Sequence, residues 1–177
     1  FGYYQVTQKN GLRFSAKKAY LQPARKRPNL RIITHAHVTK ISLTGKRADG
    51  VDYNRHGKLH YIKAGREVIL SAGAIQSPQI LELSGIGAPD HLRQHGIKMQ
   101  HELSGVGNHL TDHYISRLSW RLRRNISLNN RAYGLGLATE ILRYGLTRRG
   151  LLSLPAGVLS GFVRSRDGLA GPAIQYH

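Results

Sequence analysis

The residues best placed to do chemistry lie between positions 66 and 113, in REVILSAGAIQSPQILELSGIGAPDHLRQHGI and the later HELSGVGNHLTDH. A short apolar run there ends in Ser71-Ala72-Gly73, and a stretch with helical spacing follows at once. Small residues at such a turn let main chain pass close to a ligand, because no side chain stands in the way. A helix start also leaves N–H groups without intrahelical partners, and these can face a phosphate or a polar ring edge. On residue types alone two accounts stay open: an αβ unit with a nucleotide site, or a tight turn with a purely structural role, which is the simpler.

The ten histidines offer less. His56, His60, His91, His95 and His101 stand in surface or loop patterns and are expected to be ordinary exposed residues. His35 and His37 alternate with small residues, but two such ligands without a carboxylate make a poor metal site. With no cysteine in the chain, a disulfide scaffold, a thiolate metal centre and a cysteine nucleophile are all excluded.

The elements that must position the 66–113 block can be read from pattern. Val6-Thr7-Gln8 suits a short strand before an Asn10-Gly11 turn, and Ser15 an N-cap for a helix that Pro23 helps to end. Residues 30–34, 38–43, 48–53 and 59–63 have strand character and short turns between the last three, which predicts a β-meander. Residues 68–73 suit a strand buried on both faces of a parallel sheet. Helices are expected over 75–83, 89–95 and 131–146, the last weakened by Gly134 and Gly136. Strands are expected over 115–122, 158–163 and 173–176.

A longer match runs through this block. Gly73-Ala74-Ile75-Gln76-Ser77-Pro78-Gln79-Ile80-Leu81-Glu82-Leu83-Ser84-Gly85-Ile86-Gly87 fits, at every constrained position, the second sequence signature of the glucose–methanol–choline (GMC) oxidoreductases, and the chain resembles that family. Arg13-Phe14-Ser15-Ala16 and Arg27-Pro28-Asn29-Leu30 resemble the family's stretch before its flavin-domain meander. Gly45-Lys46-Arg47-Ala48-Asp49-Gly50-Val51 resembles its hairpin, and Leu103-Ser104-Gly105-Val106-Gly107 with Asp112-His113 its entry to the substrate domain. The chain departs from the family at His109, where asparagine is usual, and at Thr111, often glutamine.

The resemblance implies a mixed α/β and α+β fold. Residues 1–107 would be part of a Rossmann-like FAD-binding domain, and residues 108–177 the start of a substrate domain with an antiparallel sheet. It implies FAD as cofactor, hydride transfer from an alcohol carbon to the flavin, and reoxidation by oxygen, a quinone or another acceptor. Val38 falls where the family holds the adenine through main-chain N–H and C=O. Ala72 and Gly73 fall where a strand-to-helix turn approaches the adenosine half. The glycine-rich dinucleotide loop and the catalytic histidine belong to parts of the family's chain outside these residues. An internal piece of a longer enzyme, inactive without its N- and C-terminal parts, is therefore expected, with no catalytic residue of its own.

His177 resembles a histidine that choline-active members carry near the substrate. Those members also have a glutamate that attracts the trimethylammonium group, and counting along the chain puts Arg121 there. A cation in that place disfavours choline in a low-dielectric pocket and points to a neutral primary alcohol.

Composition bounds the rival readings. The 177 residues suit about one domain, and 27 Lys and Arg against 9 acidic residues give a formal charge of +18. The alternative is a basic module that binds nucleic acid or an anionic membrane without flavin. The basic clusters are scattered, however, with no zinc-finger spacing or basic helix, so no specific nucleic acid is expected. No apolar run is long enough to span a bilayer. A cytoplasmic or membrane-associated setting is expected in preference to secretion.

Overall fold

The computed structural model describes residues 1–124, 126–155 and 157–176. In chain order its strands are β1 (Gly2–Tyr3), β2 (Gln8–Lys9), β3 (Leu12–Arg13), β4 (His37–Thr44), β5 (Arg47–Arg55), β6 (Lys58–Lys63), β7 (Ile86–Gly87), β8 (His101–Glu102), β9 (Leu159–Val163) and β10 (Ile174–Tyr176). The helices are α1 (Gln22–Ala24), which continues a π-helical turn over Lys17–Leu21, then α2 (Gly73–Leu83), α3 (Pro89–Gln94) and α4 (Gly134–Thr147). They fall into two compact units, residues 32–117 and the paired segments 1–31 with 118–177.

In the 32–117 unit the expected meander forms, with β4, β5 and β6 antiparallel in that order. Its second hairpin closes through His56 and Gly57, both at positive φ, the backbone that a two-residue turn needs to match strand twist. Gly50 in β5 has a packing reason: the Tyr61 ring lies where a Cβ would stand. Helix α2 packs against β4, and Ile41, Tyr53, Ile80 and Leu92 are the buried apolar side chains of this unit. Beyond α2 the chain makes a two-residue parallel pairing, Ile86 with His101 and Gly87 with Glu102.

In the other unit Asn10 (φ 52°) and Gly11 (φ 69°) turn β2 into β3. The Tyr144 hydroxyl of α4 donates to the Gly11 carbonyl at 2.9 Å, and the Arg148 guanidinium lies 5.3 Å from the Tyr144 ring centre. A Cβ on Gly11 would collide with the Arg148 carbonyl, so glycine serves both the turn and this contact. Strand β9 pairs antiparallel with β1 on one side and β10 on the other.

Three expected strands are absent. Residues 68–72 form no ladder, and Ile69 is 78% exposed, so the run is not a buried parallel strand here. An apolar run specifies two covered faces, yet a strand also needs edge partners, and no described strand pairs with it. Residues 115–122 likewise keep their alternation without a partner, and residues 30–34 form no strand. Ser15 contributes its main-chain carbonyl, which accepts from Ala19 N–H at 2.9 Å; the helix begins at Ala16 with no side-chain cap. Helix α4 starts at Gly134, three residues later than its apolar periodicity suggested, after a 3-10 turn over Leu128–Arg131.

Candidate cofactor site

Among the described residues strand β4 has β5 on one side and no strand on its other edge. Ile41 sends its N–H out from that edge to the Ser84 hydroxyl, at 2.8 Å. Ile41 stands opposite Val51, and Val38 stands opposite Tyr53. Val51 and Tyr53 are two apart on β5, so the two pairs are of the same kind, with main-chain groups directed away from β5. A bulge between Val38 and Lys40 makes this so. Without the extra residue Thr39, strict alternation would put Val38 in the opposite phase. The Thr39 hydroxyl is turned inward instead, donating to the Asp52 carbonyl at 3.1 Å. Half-buried Val38 thus presents its N–H and C=O to the open edge, and its side chain has no part in that presentation.

The second expected contact is the start of α2. Gly73 has φ +93°, a conformation that strains any residue with a Cβ. A Cβ there would meet nothing nearer than the Gln76 side-chain oxygen at 4.0 Å, so the space before the turn is open. Ala72 and Gly73 are exposed. Ser77 holds the turn: its hydroxyl accepts from the Ala72 N–H at 3.1 Å. The pattern reading assigned Ser77 no such role. Its signal was a small hydroxyl five residues after the turn residue, one turn into a helix without a capping side chain at its start.

The far end of α2 fixes the helix to β4. Ser84, 6% exposed, donates to the Ile80 carbonyl at 2.5 Å while accepting from Ile41. Gly85 (φ +82°) ends the helix, and a Cβ there would collide with the Lys98 carbonyl. The loop after β8 then returns to the helix. A Cβ on Gly107 would lie 2.5 Å from Glu82 Oε1, and His91 Nε2 lies 3.6 Å from the same oxygen. Between the flank of α2 and this loop runs a cleft of about 650 Å³, lined among others by Ala74, Ser77, Pro78, Gly105 and Val106.

FAD, the group this fold family implies, fits what these residues offer. An outward-facing amide and carbonyl at Val38 and an open glycine turn suit recognition by main chain. The side chains of Val38 and Ala72 carry no chemistry, so the cofactor would supply the redox capacity. Among the described residues no group of three or more His, Cys, Asp or Glu could hold a metal ion. Among the described residues the Tyr61 hydroxyl titrates above its ordinary value, first through desolvation and then through Asp49 and Asp52. The expected substrate-side residue His177 lies outside the described residues. Arg121 is exposed in the irregular stretch after residue 117.

Comparison with known proteins identifies the family. The family model described as GMC oxidoreductase matches residues 1–115. An oxygen-dependent choline dehydrogenase of Chromohalobacter salexigens is 40% identical over 176 residues, covering 98% of this chain and 31% of that protein. An alcohol dehydrogenase [acceptor] of Pseudomonas putida is 39% identical over 187 residues, covering 99% of this chain and 32% of that one. Among solved structures, an FAD-dependent oxidoreductase from Chaetomium thermophilum superposes with a TM-score of 0.72 at 27% identity, over 87% of this chain and 28% of that one. The chain therefore spans about a third of the length of the curated relatives it matches. The signature helix α2, the meander it packs on and these likenesses make the chain a member of the GMC oxidoreductase family.

Proposed function

We propose that this chain is the middle part of an FAD-dependent enzyme that oxidises an alcohol at its CH–OH carbon, and that the part alone is inactive. In this reading residues 1–107 belong to the cofactor half and residues 108–177 open the substrate half. The main-chain N–H and C=O of Val38 hold the adenine, and Ala72 with Gly73 lines the adenosine half. Bound FAD supplies the acceptor for the hydride that leaves the alcohol carbon. The residues of this chain position that acceptor; the general base and the dinucleotide loop come from other parts of the protein. The observation that carries the reading is the bulge at Thr39, which turns the main chain of Val38 outward on an edge strand.

In the full-length enzyme, Val38→Ala should keep the flavin, since the main chain is untouched. Val38→Pro removes the N–H and should release it, as should Gly73→Val, which cannot adopt φ +93° without strain. Visible flavin absorbance after gel filtration reads the result. Full flavin retention by both V38P and G73V would overturn the assignment, and residues 1–177 supplied with FAD should oxidise no alcohol.

The substrate is proposed to be a neutral primary alcohol, aliphatic or aromatic, with oxygen, a quinone or another acceptor taking the electrons. Arg121 supports this, because a cation beside a quaternary ammonium is costly where water is excluded. The relatives named for choline make the test direct. If a full-length enzyme with this segment turned over choline faster than benzyl alcohol, the neutral-alcohol reading would fall.

A further inference from the structure

The side chain of Glu82 is lodged between two glycines. A Cβ on Gly87 would touch its Cγ at 3.4 Å, and a Cβ on Gly107 would collide with its Oε1 at 2.5 Å. The Glu82 side chain is 22% exposed, and His91 of α3 bounds the same oxygen at 3.6 Å. Gly107 belongs to a loop that is bonded to itself. The Val106 N–H donates to the Leu103 carbonyl at 3.0 Å, and the Asn108 N–H to the Gly105 carbonyl at 3.3 Å. The Asn108 side-chain amide donates to the Ser104 carbonyl at 2.6 Å. At its start the Leu103 N–H donates to the Gly87 carbonyl at 3.0 Å and moors the loop beside β7. All these partners lie in the 32–117 unit, so the arrangement is made within this chain whatever covers its outer faces.

We infer that Glu82 is a positioning residue for the cofactor. Glu82, Val106 and Gly107 line the same cleft as Ala74 and Ser77, which adjoin the Ala72-Gly73 turn. On the reading that FAD lies along this cleft, Glu82 acts as a spacer. It sets how far the self-bonded loop stands from α2, and so the width of the cleft. Packed side chains pass such a change on to their neighbours, because little free volume absorbs it. Shape does this in preference to charge. His91 is too far for a hydrogen bond and its side chain is 48% exposed, where an ion pair is worth little.

The test uses the flavin-loaded full-length enzyme and follows flavin release by fluorescence at room temperature, well below the melt. E82A should release flavin at least about twofold faster, the low end for residues in contact. E82Q, which keeps the shape and loses the charge, should release it at the parent's rate. G107A tests the pair. Its backbone strain at φ +76° is present in either background, but its clash needs Glu82. G107A should therefore speed release by at least about twofold less in E82A than in the parent. Melting temperature is read alongside, because a purely structural residue would lower it and leave release unchanged. The spacer role is overturned if E82A lowers the melt without faster release, if E82Q behaves as E82A, or if G107A acts equally in both backgrounds. V38P and G73V provide the reference. If they release flavin and E82A does not, the spacer role alone falls, whereas retention by both removes the cofactor reading beneath it.

Discussion

The Ser84 hydroxyl accepts the main-chain N–H of Ile41 at 2.8 Å across a separation of 43 residues, and donates to the Ile80 carbonyl one turn back in its own helix. One buried oxygen thus joins the end of α2 to the edge of β4. Ser84→Ala removes the acceptor and leaves the Ile41 N–H buried without a partner, at a cost of about 1–3 kcal/mol. The full-length variant should melt at lower temperature while retaining flavin at low temperature, since Val38 and Gly73 are untouched. A melting curve superimposable on the parent's would mean that this bond carries no stability.

Glu140 offers a contrast between a hydrogen bond and a charge. Its Oε2 accepts the Leu151 N–H at 2.9 Å, whereas the Arg131 and Arg143 guanidinium groups stand at 3.8 and 3.9 Å and are more than half exposed. Ion pairs with such exposed partners are worth little, but a charged acceptor on a part-buried amide is worth about 1.5–3 kcal/mol. Glu140→Gln keeps an acceptor and should destabilise less than Glu140→Ala, in which the Leu151 N–H loses its partner. Equal losses for the two variants in urea titrations would assign the stability to charge instead.

Residues 1–177 by themselves expose 15564 Å². A folded monomer of the same mass is expected to expose roughly 8,600 Å². Among the described residues only Ile41, Tyr53, Ile80 and Leu92 are buried large apolar residues, while Trp120, Leu135, Leu142 and Ile69 are mostly exposed. The isolated chain should therefore be poorly soluble or molten, with secondary structure but no sharp near-ultraviolet dichroism and no cooperative melt. A steep thermal transition with a fine-structured aromatic spectrum would count against this.

Local patterns were legible where the chain supplies both sides of a contact. The meander could be read because each strand alternates and its turn residues sit between them, and α2 because its small start and glycine end bracket one apolar periodicity. Residues 68–72 and 115–122 misled for a common reason. Hydrophobic pattern records which faces a segment wants covered, and says nothing about whether a neighbouring strand lies within the same 177 residues. The site was half legible. Val38, Ala72 and Gly73 are candidates through resemblance to a family alone, since the main-chain recognition proposed for them would leave no side-chain trace. The bulge at Thr39 and the bonds of Ser77 and Ser84 are relations across several or many residues, visible only once the chain is folded.

The bulge has a consequence for how this protein tolerates change. In the role proposed for it, Val38 would meet the cofactor through atoms every residue but proline possesses, so most substitutions there should leave flavin binding unchanged. Chain length is what matters. Deleting a single residue at Thr39 would rotate the edge by one step and point Val38 inward, so a silent position for mutation becomes a critical one for indels.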